Sequence, residues 1–264
     1  MTDRSDAIAA EAHLRHLRER HRPAHNRRTA ASHAAFLVAL LHPGDRVLDV
    51  GCGPGSITVG LAEAVGPGGV AIGVDLDPGP APVPLVRGDA TRLPVAGGAV
   101  DAVFVCAVLQ HMTDPLALLR EARRVCRPGA VIGVADADRG GALMAPADPW
   151  LDRGHEILDR LRGHGSPHVG RELRGLLHAA GFVDAVATAR GTGGGGPATP
   201  RMAEWEAAAF EAPAAVAAAA ERGIATPEEM AEAAAAWRRW GADPGATLAR
   251  HWFEATARAP GGED

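Results

Sequence analysis

The stretch VLDVGCGPGSITVGLA, Val47 to Ala62, decides the fold. Val47 to Val50 is a short apolar run with the composition of a buried strand. Gly51, Gly53 and Gly55 then let the chain turn sharply without Cβ crowding, and Ser56 to Ala62 reads as a helix. A strand that turns through glycines into a helix is expected to bring backbone N–H groups up to a ligand. The spacing is Gly-x-Gly-x-Gly, not the Gly-x-Gly-x-x-Gly of dinucleotide pyrophosphate sites, which argues against a nicotinamide-dependent dehydrogenase. Pro54, inside the turn, has no N–H to give a phosphate. Asp49 adds a carboxylate at the strand end. The turn therefore suits a ligand that needs close backbone approach and carries a cation but no diphosphate.

Upstream, Thr29 can cap a helix whose core face includes Ala34, Leu37, Val38 and Leu41. Pro43-Gly44-Asp45 stops that helix and turns the chain into the first strand. Asp3 to Arg20 reads as an earlier helix with Ile8, Leu14 and Leu17 as a thin apolar stripe. His13, His16, His21 and His25 fall in or after it without a cysteine or carboxylate framework, so they read as a solvated basic face and not as a metal site.

Downstream, VAIGVD is a second strand ending at Asp75, about 20 residues past the turn, where a carboxylate can take two ribose hydroxyls. Leu76 follows and can pack on an adenine face. DPGPAPVP, next, cannot form a helix. LVRGDATRLP supplies a third strand ending near Asp89, whose carboxylate suits an adenine amino group while the Ala90 N–H suits a ring nitrogen. A plain turn aspartate is the competing reading. AVDAVFVCAV is a continuous apolar run, the mark of a buried parallel strand, and leads into LQHMTDP. Asp114-Pro115 is an N-cap with proline at the first helical position. That helix is expected to reach about Cys126 and to stop at RPGA. VIGVADAD is a fifth strand, with Asp136 and Asp138 at its carboxyl end.

Alternating strands and helices predict an α/β, doubly wound sheet, in which ligands sit beyond the carboxyl ends of the strands. Asp49, Asp75, Asp89, Cys106, Gln110, His111 and Asp136 all fall at those ends. A nucleoside with a charged amino-acid tail meets their combined demands. Past Asp138, Trp150–Leu161 and Val169–Ala180 look helical, and GFVDAVATAR is a strand after a Gly181 C-cap. GTGGGGPATP reads as a flexible connector. Ala-rich helices follow near Arg201–Arg222 and Pro227–Trp240, and ATLARHWFEATARA ends in a final strand. Trp205, Phe210, Trp237 and Trp240 either line a substrate mouth or pack the helices on one another.

Composition narrows the function. The net charge of −5 with no long basic run disfavours nucleic acid. Cys52, Cys106 and Cys126 include no Cys-x-x-Cys pair, which argues for a reduced compartment and no zinc. The opening MTDRSDAIAA lacks the apolar core of a signal peptide and no apolar run reaches membrane-spanning length, so a cytoplasmic location without membrane contact is expected. Tyrosine is absent, so no phenol can act as acid or base.

In RRTAASHAAFLVALLHPGDRVLDVGCGPGSITV, RGDATRLP, VLQHMTDPLALLREARRVCRPG, GRELRGLLHAAGF and GIATPEEMAEAAAAWRRW, in that order, the chain resembles a class I S-adenosylmethionine-dependent methyltransferase. More narrowly it resembles the group related to the ubiquinone/menaquinone biosynthesis C-methyltransferases. The resemblance implies a seven-stranded, mostly parallel Rossmann-like sheet of order 3-2-1-4-5-7-6, its last strand antiparallel. It also implies residues 1–28 as an N-terminal helical cover segment and 29–264 as the methyltransferase domain. Helical insertions at about 139–180 and 199–242 would cover the substrate site. Asp49, Gly51, Cys52 and Gly53 would hold the methionine part of S-adenosyl-L-methionine, Asp75 and Leu76 the ribose and adenine, and Asp89 and Ala90 the adenine edge. The Cys106 backbone would approach the methionine amino group, with Gln110 and His111 beside it. S-adenosyl-L-homocysteine would be the product.

Two departures stand out. LDPGPAPVP replaces the helix that the family usually places between the ribose-binding aspartate and the third strand, which would leave the adenosine side more open. AASH stands where the family tends to have an acidic residue and an asparagine. His111 is the candidate base or orienter, with His25, His33 and Asp136 as further candidates. The expected function is methyl transfer to oxygen, carbon or nitrogen of a small organic molecule, as in secondary metabolism. The alternative is a methyltransferase-fold protein that binds the cofactor but catalyses a non-methylating cyclisation or rearrangement, or only binds ligand. A homodimer is left open.

Overall fold

The computed structural model describes residues 28–261. The expected helix over Asp3–Arg20, its histidines and His25 lie outside the described residues, as does nearly all of the 1–28 segment. The elements are α1 (Ala30–His33), α2 (Ala35–Val38), β1 (Arg46–Val50), α3 (Ser56–Val65), β2 (Val70–Asp75), β3 (Leu85–Arg87) and β4 (Val100–Cys106). A 3-10 turn (Leu109–His111), α4 (Pro115–Val125), β5 (Cys126–Ala145), α5 (Pro149–Arg162), α6 (Val169–Ala179) and β6 (Val183–Gly194) follow. The last are α7 (Thr199–Glu211), α8 (Pro213–Glu221), α9 (Pro227–Ala242) and β7 (Thr247–Arg258).

The strands form one seven-stranded sheet of order β3-β2-β1-β4-β5-β7-β6, the order that the resemblance implies. β1 pairs in parallel with β2 and β4, and β2–β3 and β4–β5 are parallel too. β7 runs against β5: the Gly129 N–H donates to the Ala259 carbonyl and the Ala259 N–H to the Ala130 carbonyl, which joins the start of one strand to the end of the other.

The chain divides into two compact units. Among the described residues the first holds 28–140, 165–190 and 251–261, hence β1 to β4 and the glycine turn. Its parallel strands are buried on both faces, so side chains sort by the two-residue period. Val103 and Val105 of β4 pack with Leu118, Leu119 and Val125 of α4 and Leu173 and Leu177 of α6. Ala102, Phe104 and Cys106 face the other way, onto Leu37 of α2 and Ile57, Leu61 and Val65 of α3. Asp114 caps α4, accepting from the Leu116 and Ala117 amides at 3.0 and 3.2 Å, as its place before Pro115 predicts.

The second unit holds 141–164 and 191–250. Its core is built from small residues and aromatics: Ala203, Ala207, Phe210, Ala233, Trp237 and Trp240 are buried together. Trp237 lies edge-to-face with Trp240, ring centroids 5.8 Å apart. This settles the two readings of the aromatics in favour of packing for Phe210, Trp237 and Trp240, while Trp205 is partly exposed. A capping box joins Thr226 and Glu229 at the start of α9.

Four boundaries differ from expectation. The entry helix is broken at Ala34, which leaves the helical region at φ −129°, so α1 and α2 are single turns. The RPGA segment does not interrupt the chain before the fifth strand: β5 begins at Cys126, which pairs with Val100 of β4, and runs 20 residues, with Gly129 and Ala130 bonded to Ala259 just past β7. The glycine run is only partly a connector, since Gly191–Gly194 extend β6. Pro213 splits the first Ala-rich helix into α7 and α8, as a residue without an N–H does in a helix interior.

Candidate active site

The site gathers at the carboxyl ends of β1, β2, β4 and β5. Asp49 lies one residue before the end of β1, on the face that carries Val47. Its carboxylate is 2 % exposed and accepts from the Thr58 hydroxyl of α3 at 2.6 Å. Burial pushes Asp49 up to about 7; the Thr58 hydrogen bond pulls the other way and the nearby Asp75 charge pushes further up. No arginine or histidine pairs with Asp49 or Asp75 among the described residues. A buried carboxylate without a cation is costly unless a ligand brings one.

The glycine turn is held differently from expectation. The Gly51 and Cys52 amides both donate to the Val74 carbonyl, at 2.7 and 3.3 Å, and the Gly55 amide donates to the Cys52 carbonyl at 2.9 Å. The Gly53 amide donates to Asp75 Oδ2 at 2.9 Å. These N–H groups are satisfied within the protein, so the expectation that they reach out to a ligand is corrected for these four residues. What the turn offers is proximity. Gly51 sits at φ +75°, and a Cβ there would lie 2.2 Å from a methyl of Val108, just past β4.

Asp75 ends β2. Its two oxygens take the Gly53 amide and, at 2.9 Å, the Asp77 amide. Each carboxylate oxygen keeps a further acceptor position, so two adjacent hydroxyls remain within its capacity. Leu76 is exposed, as a residue kept to cover a flat ring would be. The proline-rich segment after it folds back on the turn: the Gly79 amide donates to the Gly53 carbonyl at 2.9 Å. The loop that replaces the usual helix is thus tied to the glycine turn.

Asp89 is exposed and draws in the Thr91 amide and hydroxyl, both at 2.8 Å, which holds its carboxyl below the usual range. Both bonds are those of a turn aspartate and both go to Oδ1, and no bond joins Asp89 to the other site residues among those described. Ala90 beside it is half-buried and packs on the core.

Cys106 ends β4 with its thiol buried, and burial pushes it up to about 12, so it is no nucleophile. Ala107 then takes φ 57°, a left-handed conformation that swings the chain into the 3-10 turn carrying Gln110 and His111. Gly165, at φ +78°, lies against the Gln110 carbonyl so closely that a Cβ would come within 2.0 Å. Gln110 is buried, and its Oε1 has no hydrogen-bond partner among the described residues. The Gln110 amide donates to Asp136 Oδ2 at 3.2 Å and the Ala137 amide to Asp136 Oδ1 at 2.9 Å. Burial nevertheless raises Asp136 to about 6. His111 is exposed at the end of the turn.

Asp138 does not join the site. It is buried with Arg171 of α6, whose Nη2 donates to it at 2.9 Å, and His168 lies 3.6 Å away. Thr58 is the contact that sequence reasoning missed; its signal is a hydroxyl in the first turn of the helix behind the glycines. Among the described residues no group of three or more His, Cys, Asp or Glu could hold a metal ion, and no helix is long and apolar enough to cross a membrane. A cleft of about 450 Å³ in the helical unit, lined by Arg153, Arg160 and Thr226 among others, contains none of these site residues.

Residues 48–134 match the family model described as a methyltransferase domain. An uncharacterised methyltransferase of Schizosaccharomyces pombe is 32% identical over 178 residues, 60% of this chain and 64% of that protein. A demethylmenaquinone methyltransferase of Mycolicibacterium vanbaalenii is 41% identical over 102 residues, 36% of this chain and 43% of that one. The chain thus spans less than two thirds of either relative. In three dimensions the chain is similar to the [4+2]-cyclase SpnF, with a TM-score of 0.50, 23% identity, and coverage of 87% of this chain and 81% of that one, which speaks to the fold. Residues 48–134, which take in the end of β1, the glycine turn and β4, thus match a methyltransferase domain on a 3-2-1-4-5-7-6 sheet, and over part of its length the chain is similar to menaquinone and ubiquinone C-methyltransferases.

Proposed function

We propose that this protein transfers a methyl group from S-adenosylmethionine to a small organic molecule. The observation that carries the reading is the buried Asp49 carboxylate, unpaired with any described cation, at the end of the strand that opens the glycine turn. An amino-acid tail would bring an ammonium to it. Asp75 would take the ribose hydroxyls with its remaining acceptor positions, and Leu76 would cover adenine. Gln110 Oε1, a buried acceptor without a donor, fits a ligand N–H at the β4 end of the same site.

When bound, the cofactor supplies a methyl carbon already activated by its sulfonium. The protein's own task is then alignment and exclusion of water, and positioning is worth on the order of 7–11 kcal/mol at best. A base is needed only for an acceptor that is protonated at neutral pH, and His111 is our candidate for base or orienter.

The test is titration of the purified chain with S-adenosylhomocysteine by calorimetry, followed by incubation with S-adenosylmethionine and a panel of acceptors. Binding, and product S-adenosylhomocysteine that depends on acceptor, are expected. Failure to bind either cofactor form overturns the reading. Binding with acceptor turnover but no S-adenosylhomocysteine would favour the cyclase-like alternative, which the shared fold alone does not separate from methyl transfer.

A further inference from the structure

A second cluster of charged and aromatic side chains stands beside the tip of β4, all of it within the unit that carries the site. The Arg28 guanidinium carbon lies 5.4 Å from the Trp252 ring centroid, and the His33 ring meets the same indole edge-on at 5.5 Å. Arg190, on β6, donates to the Ser32 carbonyl at 2.9 Å and lies 2.8 Å from Glu254. Arg28, His33, Arg190, Trp252 and Glu254 are all half-buried.

Register puts this cluster at the ligand end of the sheet. β7 is antiparallel to β5 and Ala259 bonds to Gly129 and Ala130 near the start of β5, so Trp252, seven residues earlier, lies toward the carboxyl end of the parallel strands. Trp252 and Ala107 pack against the same core cluster, which contains Cys106. Both arginine charges reach the Cys106 thiol and the His33 ring.

The charges are unequal. Arg190 shares its charge with Glu254, whereas no carboxylate pairs with Arg28 among the described residues; its described contact is the face of Trp252. His33 adds no charge. Burial first, then the two arginines, hold its imidazole down at about 4, so it is neutral at neutral pH, and its Nδ1 is engaged with the Ser32 hydroxyl at 2.8 Å. A guanidinium on an indole face, beside a neutral imidazole, leaves one positive charge without a carboxylate among the described residues, next to an aromatic ring. Guanidinium takes carboxylate or phosphate in two parallel hydrogen bonds.

We propose that Arg28 and Trp252 form the acceptor subsite, and that it selects acceptors in which an anionic group is attached to a planar ring. His33 is the neutral edge of this subsite and Arg190 a positioning residue that ties the Ser32 backbone to β6. The inference rests on the methyltransferase reading and names the acceptor class for that site.

The test uses the full chain saturated with S-adenosylhomocysteine, titrated by calorimetry with 4-hydroxybenzoate, 4-hydroxybenzamide and phenyl phosphate at millimolar concentration. The carboxylate probe is expected to bind about tenfold more tightly than its neutral amide, a factor worth about 1.4 kcal/mol. Phenyl phosphate in place of the carboxylate identifies which anion the subsite prefers. Arg28→Gln is expected to abolish the preference while leaving S-adenosylhomocysteine affinity unchanged, and Arg28→Lys to keep part of it. Trp252→Leu is expected to weaken both benzoate and benzamide. Equal binding of charged and neutral probes, no binding of either anion, or a preference that survives Arg28→Gln overturns the subsite, and the last two results would leave Arg28 and Trp252 as a clasp for the entry segment. A chain that fails to bind S-adenosylhomocysteine fails at the earlier step and refutes the methyltransferase reading itself.

Discussion

Replacing Asp49 by Asn separates what the site costs from what it does. The carboxyl is raised to about 7 in the fold, against about 3.9 in an unfolded chain. A raised carboxylate pKa means that the folded state binds the proton more tightly. No penalty is felt well below the unfolded value; it grows as pH rises and is complete above the folded value. Three pKa units set that penalty at about 4 kcal/mol above pH 7, falling to about 1.5 kcal/mol at pH 5. Asn keeps an acceptor for the Thr58 hydroxyl without the charge. Asp49→Asn should therefore raise the thermal midpoint of the ligand-free protein at about pH 8 and gain much less at about pH 5. Ligand binding should show the converse. If an ammonium must meet an ionised Asp49, wild-type affinity for S-adenosylhomocysteine falls about a hundredfold between about pH 8 and about pH 5, and near pH 6 binding releases almost one proton. Calorimetry in buffers of different ionisation enthalpy counts that proton. Asp136, raised only to about 6, would begin to contribute lower in the range. A flat wild-type profile, or an Asn variant that binds as tightly and with the same proton count, would refute the assignment of Asp49 to the cationic tail.

Other consequences are more local. Gly51→Ala combines a left-handed φ of +75° with a Cβ 2.2 Å from Val108, and should destabilise by about 2–4 kcal/mol; adding Val108→Ala should restore the packing part but not the backbone part, as melting of the three variants would show. The three thiols are buried and held well above their usual range, so a thiol reagent should modify none in the native protein and all three in denaturant. Trp237 is fully buried in the helical unit with its Nε1 unpartnered among the described residues, so Trp237→Phe should cost less than about 1.5 kcal/mol while Trp237→Ala costs about 3–5 kcal/mol in that unit's unfolding. Asp138 is buried, which alone would raise it, but Arg171 and His168 hold it below the usual range; its contribution is present above about pH 4 and lost as pH falls through its lowered value, a loss that Asp138→Asn should remove from the acid limb of a denaturation profile.

Much of this was legible because the physics is local. β1, the glycine turn and α3 are announced by a run of apolar residues, alternate glycines and a helical pattern within a single stretch, and Asp114-Pro115 states its own helix start. The strand order needed more than periodicity: alternation gives a doubly wound sheet, and only the resemblance supplied 3-2-1-4-5-7-6. What could not be read is set by partners distant in sequence. Ala34 carries no signal for a helix break. β5 starts ahead of its sequence pattern because Val100 of β4 and Ala259, more than a hundred residues away, supply partners to Cys126, Gly129 and Ala130. Arg28 and His33 meet Trp252 only because β7 returns to β5 in antiparallel register, and Trp252 belongs to none of the blocks that carry the resemblance.

The amides of the glycine turn show how a turn can be legible in sequence while its contacts are not. Glycines were expected there so that N–H groups could face a ligand. In the folded chain the Gly51 and Cys52 amides are used to splice β1 to Val74 of β2, and the Gly53 amide is used to fix Asp75. The turn thus gives its donors away and presents acceptors: Asp49 behind it, Asp75 beside it and, at the tip of β4, the Gln110 Oε1. A diphosphate would meet carboxylates with no compensating donor from Gly51, Cys52, Gly53 or Gly55, at a cost of several kcal/mol for each unpaired buried charge. A ligand of ammonium, ribose hydroxyls and a positively charged sulfur brings donors and cations to the same acceptors. The reading against dinucleotides therefore rests on where the turn spends its hydrogen bonds as much as on its glycine spacing.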